Sequence, residues 1–305
     1  SRLRFEGPKG CFPISHDKKT LFQIIAERVL AASALAGRAL PVAILTSRLN
    51  HKETINYFAK HAYFGLKPQK QLFFFTQELW PLLDLQGNLF LQAPSQIAKG
   101  PNGNGGVFRY FYSSGLWELW NKMGIEHLQL IPVDNALAAP FDVELIGFHK
   151  KHASEITIKT CTRCDPQEKV GILCQVEKKP RVIEYFEIPD KEKEAREEGG
   201  RLKYSIASIG LFAFSLSFMK KAAHFELPIH FVKKAVKYFD SSGKTFFPKE
   251  PNAFKFEEFI FDVLPFAETC KVLIYPRERC FAPLKNEESI KEVRLALERA
   301  GKEMR

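Results

Sequence analysis

The chain has 305 residues, 45% of them hydrophobic, enough apolar material for one large α/β core or a core with a small appendage. Its formal net charge of +10 suits a nucleic acid, an anionic membrane or a small polyanion such as a nucleoside triphosphate. The lysines are spread along the chain among carboxylates, no RNA-binding signature is present, and no apolar stretch is long enough to span a bilayer, which leaves the small polyanion as the favoured partner.

The opening, Ser1-Arg2-Leu3-Arg4-Phe5, runs straight into Glu6-Gly7-Pro8-Lys9-Gly10, which reads as the second half of a phosphate-binding loop. Residues 20–36 carry apolar side chains at helical spacing, with Leu21, Ile24, Ile25, Val29 and Leu30 on one side. Residues 41–45 form a short apolar run, expected as a buried parallel strand ending at Thr46-Ser47. A helix is predicted over 53–61 and a second strand over 71–75, ending near Gln77. Pro101-Asn102-Gly103-Asn104-Gly105-Gly106 lets backbone amides approach a planar or phosphorylated ligand, because no Cβ intervenes at the glycines. Such loops are more often plain turns. A helix over 113–123 follows, with Gly124 as its C-cap, and then a strand over 128–133. Asp134 comes directly after that strand, where a carboxylate can hold a divalent cation on a nucleotide.

This alternation predicts a doubly wound α/β sheet, whose ligands bind at the C-terminal strand ends and which groups Thr46, Gln77 and Asp134. The second half reads as richer in strands, at 155–159, 171–176, 181–186 and 271–275, with a further apolar run at 206–214. Helices are predicted over 229–239, 257–264 and 287–304. Six cysteines are present, and Cys161-Thr-Arg-Cys164 is the one close pair. A zinc ribbon needs a second such pair, so free thiols in a reducing cytoplasm are the simpler reading, and no secretory leader is expected.

At this point the blocks of sequence resemble a family. They include Gly7-Pro8-Lys9-Gly10-Cys11-Phe12-Pro13, Tyr63-Phe64-Gly65-Leu66, Phe75-Thr76-Gln77, the Gly-rich loop and Val133-Asp134-Asn135. They continue with Glu168-Lys169-Val170-Gly171, Val182-Ile183-Glu184-Tyr185-Phe186-Glu187-Ile188, Leu227-Pro228-Ile229-His230, the run 251–262, and Pro283-Leu284-Lys285-Asn286. In this order they resemble the eukaryotic-type UDP-sugar pyrophosphorylases, most closely the UDP-N-acetylglucosamine pyrophosphorylases.

The resemblance implies a Rossmann-like, GT-A-like nucleotidyltransferase fold with a mixed, mostly parallel central sheet, the catalytic domain covering 1–286 and a helical tail 287–305. It implies a Mg²⁺-dependent reaction of UTP with a sugar 1-phosphate, giving UDP-sugar and pyrophosphate by in-line attack at the α-phosphorus. UDP-glucose, a broad range of UDP-sugars, or UDP-sugar binding without turnover are the other readings. Arg2 and Lys9 would lie against the triphosphate, and Lys255 and Lys285 would neutralise the sugar phosphate and the α-phosphate. Gln77 would read uracil, whose edge needs a group that donates and accepts at once. Gly105 and Gly106 would pass beneath the uridine, and Asp134 would hold the metal. Asn135, Glu184 and Ser208 would face the sugar. Each has a plainer reading: a surface lysine for Lys9, a strand-end amide for Gln77, a turn former or helix cap for Asp134, a solvent-facing carboxylate for Glu184 and a snorkelling side chain for Lys255. His230 is expected to bond structurally.

Two departures stand out. The first glycines of the opening loop and the strand before them are not in this sequence, so an N-terminally truncated catalytic domain with weak stability or activity is expected. Ala207-Ser208 replaces the family's Gly-Asn pair, and serine offers fewer hydrogen bonds to a sugar than asparagine does.

Overall fold

The computed structural model describes residue 3 and residues 5–239, 245–246 and 248–303. The first long helix, α1 (Leu21–Leu35), starts where the Thr20 hydroxyl accepts a hydrogen bond from the Gln23 amide. It buries Leu21, Phe22, Ala26 and Val29, the stripe expected of a helix laid on a sheet. Strand β1 (Val42–Ser47), helix α2 (His51–Lys60) and strand β2 (Leu72–Gln77) follow. The two strands pair in parallel, from Val42 opposite Leu72 to Ser47 opposite Gln77. A parallel pair needs a crossover, and α2 supplies it.

The helix expected over 113–123 is two helices, α3 (Val107–Ser113) and α4 (Leu116–Lys122), broken at Gly115. Gly115 has φ +79°, a left-handed conformation that ends the first helix and starts the second. After β3 (His127–Leu130) comes α5 (Val143–Lys151), whose Asp142 side chain accepts from the Glu144 and Leu145 amides. The apolar pattern does not announce α5.

Strands β4 (Ile156–Thr162), β5 (Gly171–Val176), β6 (Lys179–Ile183) and β7 (Ile206–Ser215) build the second half, followed by α6 (Leu216–Ala222). Next come β8 (His230–Lys234), β9 (Ala253–Glu257), β10 (Cys270–Ile274) and α7 (Ser289–Glu303). The large sheet runs β6–β5–β7–β4–β10, with β3 also paired to β7. Its β4–β10 pairing is parallel, and its other pairings are antiparallel. The protein is thus mixed α/β, but this sheet is not mostly parallel. Its long central strand β7 runs against each of its neighbours, and β5 and β6 form a hairpin rather than a crossover.

Two helices expected in the second half are replaced. Residues 229–239 hold β8 and the short strand Tyr238–Phe239, and 257–264 cover the end of β9 and a 3₁₀ stretch at Ile260–Phe266. Pairing of β8 with β9, from His230 opposite Glu257 to Lys234 opposite Ala253, outweighs the local pattern.

The main core joins both sheets. Phe75 of β2 packs in one cluster with Phe108 of α3, Ile156 and Ile158 of β4, and Phe212 and Phe214 of β7. Yet among the described residues no backbone ladder joins β1–β2 to the larger sheet. Helix α7 closes a second cluster, where Val293 packs with Leu3, Ile14, Leu21 and Leu284. Burying these apolar side chains stabilises each by roughly 1.5–3 kcal/mol.

Candidate active site

A cavity of about 490 Å³ opens beside the end of β3, lined by Lys9, Asp134, Asn135, Glu184, Ser208 and Lys285. These positions, between residue 9 and residue 285 in the chain, are brought together by the turn after β3, the end of β6 and a bulge in β7. The bulge lies where the register of β7 against β4 shifts between Ser208 and Leu211. Gly210, at φ +76°, sits there against Pro132, and a bulge of this kind re-aims side chains toward a site.

The basic wall forms around Asp134. Lys9 Nζ donates to Asp134 Oδ2 at 3.0 Å, and both side chains stay about one-third exposed, at 33% and 30%. The turn behind them is held by Arg28 of α1, whose Nη1 donates to the carbonyls of Ala136 at 2.8 Å and Ala138 at 3.0 Å. Asn135 is buried and its amide is occupied: it donates to the Cys280 carbonyl and accepts from the Ala282 amide at 2.9 Å. Its side chain therefore pins the strap 280–285 to the turn rather than offering its polar atoms to a ligand. The Leu284 amide adds a bond to the Asp134 carbonyl at 2.8 Å. Lys285 follows on that strap and donates to the Lys169 carbonyl at 2.6 Å. Burial pushes the Lys285 amine below its ordinary pKa, against the pull of Asp134, Glu168 and Glu184.

The opposite wall carries Glu184 and Ser208. Glu184 stands one residue past β6, in a turn and not within the strand as expected. Burial first, and the neighbouring Glu187 second, push its carboxyl up to about 7. Glu187 Oε2 accepts from the Glu184 amide at 3.0 Å, while its Oε1 bonds His230 Nδ1 at 2.8 Å. His230 Nε2 bonds Asp262 at 2.9 Å, so the imidazole links three segments, the structural bonding expected of it. Burial works against its charge, but the hydrogen bond to Glu187 and the charge of Asp262 more than offset it and raise its pKa.

The remaining expected residues lie outside this cavity. Gln77 ends β2, and its side-chain oxygen is buried without a hydrogen-bond partner among the described residues. The Gly-rich loop packs along residues 257–260. A Cβ on Gly103 would come within 2.2 Å of the Glu258 carbonyl, and one on Gly105 within 2.8 Å of the same residue. A Cβ on Gly106 would meet the Tyr110 ring at 2.4 Å. Backbone packing thus accounts for these glycines before any ligand is invoked, and the Gly105 amide already donates to Glu258 at 2.9 Å. Asn104 is also more than a turn former, because its side chain accepts from the Ile260 amide at 2.9 Å. Lys255 sits on β9, paired with Glu257 at 2.6 Å, and does not precede a helix. Arg2 lies outside the described residues.

Three cavity residues went unrecognised: Lys169, Tyr185 and Lys234. Lys169 and Tyr185 fall inside blocks that carry the resemblance, and their neighbours Glu168 and Glu184 could have flagged them. Lys234 was hidden by the helical reading of 229–239. With Lys9 and Lys285, the cavity has four lysines against the carboxylates of Asp134 and Glu184. That balance suits a ligand with several negative charges and a polar, uncharged part. No group of three or more metal-ligating side chains is found among the described residues.

Fold and cavity together define a mixed α/β protein with a polyanion-suited site at its strand ends. The chain belongs to the UTP–glucose-1-phosphate uridylyltransferase family, which matches residues 1–297. It is 36% identical over 297 residues to the UDP-N-acetylglucosamine pyrophosphorylase of Saccharomyces cerevisiae, covering 94% of this chain and 62% of that protein. The "Probable UDP-N-acetylglucosamine pyrophosphorylase" of Schizosaccharomyces pombe is 35% identical, with 94% of this chain and 64% of that protein covered. The crystal structure of an Entamoeba histolytica protein assigned to the same activity matches with a TM-score of 0.89 at 32% identity, over 98% of this chain and 77% of that one. The chain thus spans a little under two-thirds of the length of those two curated relatives.

Proposed function

We propose that the protein is a uridylyltransferase that joins UTP and N-acetylglucosamine 1-phosphate into UDP-N-acetylglucosamine and pyrophosphate. The observation that carries this reading is the convergence of Lys9, Asp134, Glu184 and Lys285 on one cavity, although they come from four distant parts of the chain. The attacking phosphate is already an anion, so the chemistry demands positioning and charge neutralisation rather than proton transfer. Lys9 and Lys285 would neutralise the phosphates. Glu184 would accept from a sugar hydroxyl, and the orphan oxygen of Gln77 would accept from the uracil imide. The backbone at Gly105 and Gly106 would pass beneath the uridine, and Arg2 would add a phosphate contact from the opening segment. We also infer the Rossmann-like nucleotidyltransferase arrangement, which the parallel β1–β2 pair and its α2 crossover support, with residues 1–286 as the catalytic unit. A cytoplasmic setting fits six cysteines that are all free of disulfides.

Asp134 is a lone carboxylate, and that fits Mg²⁺, which takes one or two carboxylates and fills its remaining positions with phosphate oxygens and water. When bound, the ion supplies positive charge at the phosphate oxygens. An Asp134→Asn variant of the full chain should lose at least about a hundredfold in turnover, roughly 2.7 kcal/mol, with little change in melting temperature. Turnover within about tenfold of the parent would remove Asp134 from this role.

Ser208, standing where the family has asparagine, favours keeping UDP-glucose or a broader sugar range as a second reading. Pyrophosphate release measured with a panel of sugar 1-phosphates, beside calorimetric binding of the UDP-sugars, decides between them. Binding without release would identify a non-catalytic UDP-sugar-binding protein.

A further inference from the structure

The β8–β9 ribbon brings a basic group to the cavity that the proposed chemistry has not yet used. Side chains two apart on a strand share a face, and residues directly opposite in an antiparallel pair share it too. The register therefore puts His230, Val232 and Lys234 of β8 on one face with Glu257, Lys255 and Ala253 of β9. The other face carries Phe231, Lys233, Phe254 and Phe256, where the Phe231 and Phe256 rings lie 5.5 Å apart. Along the first face, charge is neutralised everywhere but at one end. Lys255 is paired with Glu257, and His230 is bracketed by Glu187 and Asp262. Lys234 has no carboxylate partner among the described residues, and it lines the cavity with Glu184 and Ser208.

The same ribbon reaches the Gly-rich loop at its other end. Lys255 lies against Gly100, where a Cβ would come within 3.1 Å of its Cε, and Gly103 bridges to Glu258 just past β9. The ribbon face thus runs from the loop beside the nucleotide end to the wall beside the sugar end. A ligand joining those ends carries its phosphates past this face, and the one unneutralised cation there stands at the sugar end.

We propose that Lys234 binds the phosphate of the sugar 1-phosphate, the group that becomes the sugar-linked phosphate of the product. The proposal rests on the uridylyltransferase reading for the identity of the substrate, but its test can be read without turnover. In the full chain, Lys234→Gln should raise KM for N-acetylglucosamine 1-phosphate at least about tenfold while KM for UTP stays within about twofold, and Lys234→Arg should restore most of the loss. Calorimetry with N-acetylglucosamine 1-phosphate alone should show the same order of affinities. Unchanged KM and affinity for the sugar phosphate in Lys234→Gln would overturn the proposal, as would an equal rise for both substrates. A parent protein that binds the sugar phosphate in a Lys234-dependent way yet releases no pyrophosphate would overturn the transferase reading and leave Lys234 in place.

Discussion

Glu184 shows how environment sets the work of a single side chain. Its carboxyl rises from the ordinary 4.5 to about 7, chiefly through burial. An acid whose pKa is raised on folding holds its proton more tightly in the folded state, so ionising it costs stability as pH climbs from about 4.5 to about 7. A hydroxyl acceptor works best as the carboxylate. KM for the sugar phosphate should therefore fall as pH rises from about 6 to about 8, and Glu184→Gln should flatten that trend. An unchanged slope in the variant would assign the pH dependence to another group. The opposite sign holds at His149, which burial holds down at about 4 beside His127. Its contribution is present near neutrality and is lost as pH falls from 6.5 toward about 4. Lys9, Asp134, Glu184 and Lys285 were legible from the sequence because each sits in a short block with its own pattern. Asn135 was legible as a site position but not in its bonding, because its partners at 280 and 282 are remote in sequence.

Elements built from local spacing were the readable ones. The α1 stripe, the β1–β2 pair and the β5 strand follow from periods of 3.6 and 2 within one window. Residues 229–239 failed for a physical reason. Ile229, Val232, Val236 and Phe239 have helical spacing, yet the segment is held as strand by a partner more than twenty residues away. The Gly-rich loop was readable as a loop, but the neighbour that demands its glycines was not. Gly103 combines φ +88° with no room for a Cβ, so Gly103→Ala should destabilise the protein by about 3 kcal/mol or more in chemical denaturation. Gly147, within α5 and with open space around its Cβ position, provides the contrast. Gly147→Ala should be stabilising by up to about 1 kcal/mol. Equal effects at the two positions would mean that close packing on Glu258 does not select the glycine.

At the scale of the molecule, the mixed α/β class was legible from the alternation of apolar runs, while strand direction was not. Direction depends on how β7 is reached, and nothing within residues 206–215 encodes which neighbour lies on each side. The division between the two sheets has a mechanical consequence. Gln77 rides on the β1–β2 body, while Glu184 and Ser208 ride on the larger sheet, and among the described residues side chains rather than a backbone ladder hold the two together. A ligand that touches both bodies acts as a splint across a joint. Amide hydrogen exchange should slow together in β1, β2 and β7 when UDP-N-acetylglucosamine binds, whereas uridine should protect β2 and leave β5 and β6 at their free rates. Equal protection of both bodies by uridine would show that they already move as one, and the sugar would then add affinity without adding stiffness.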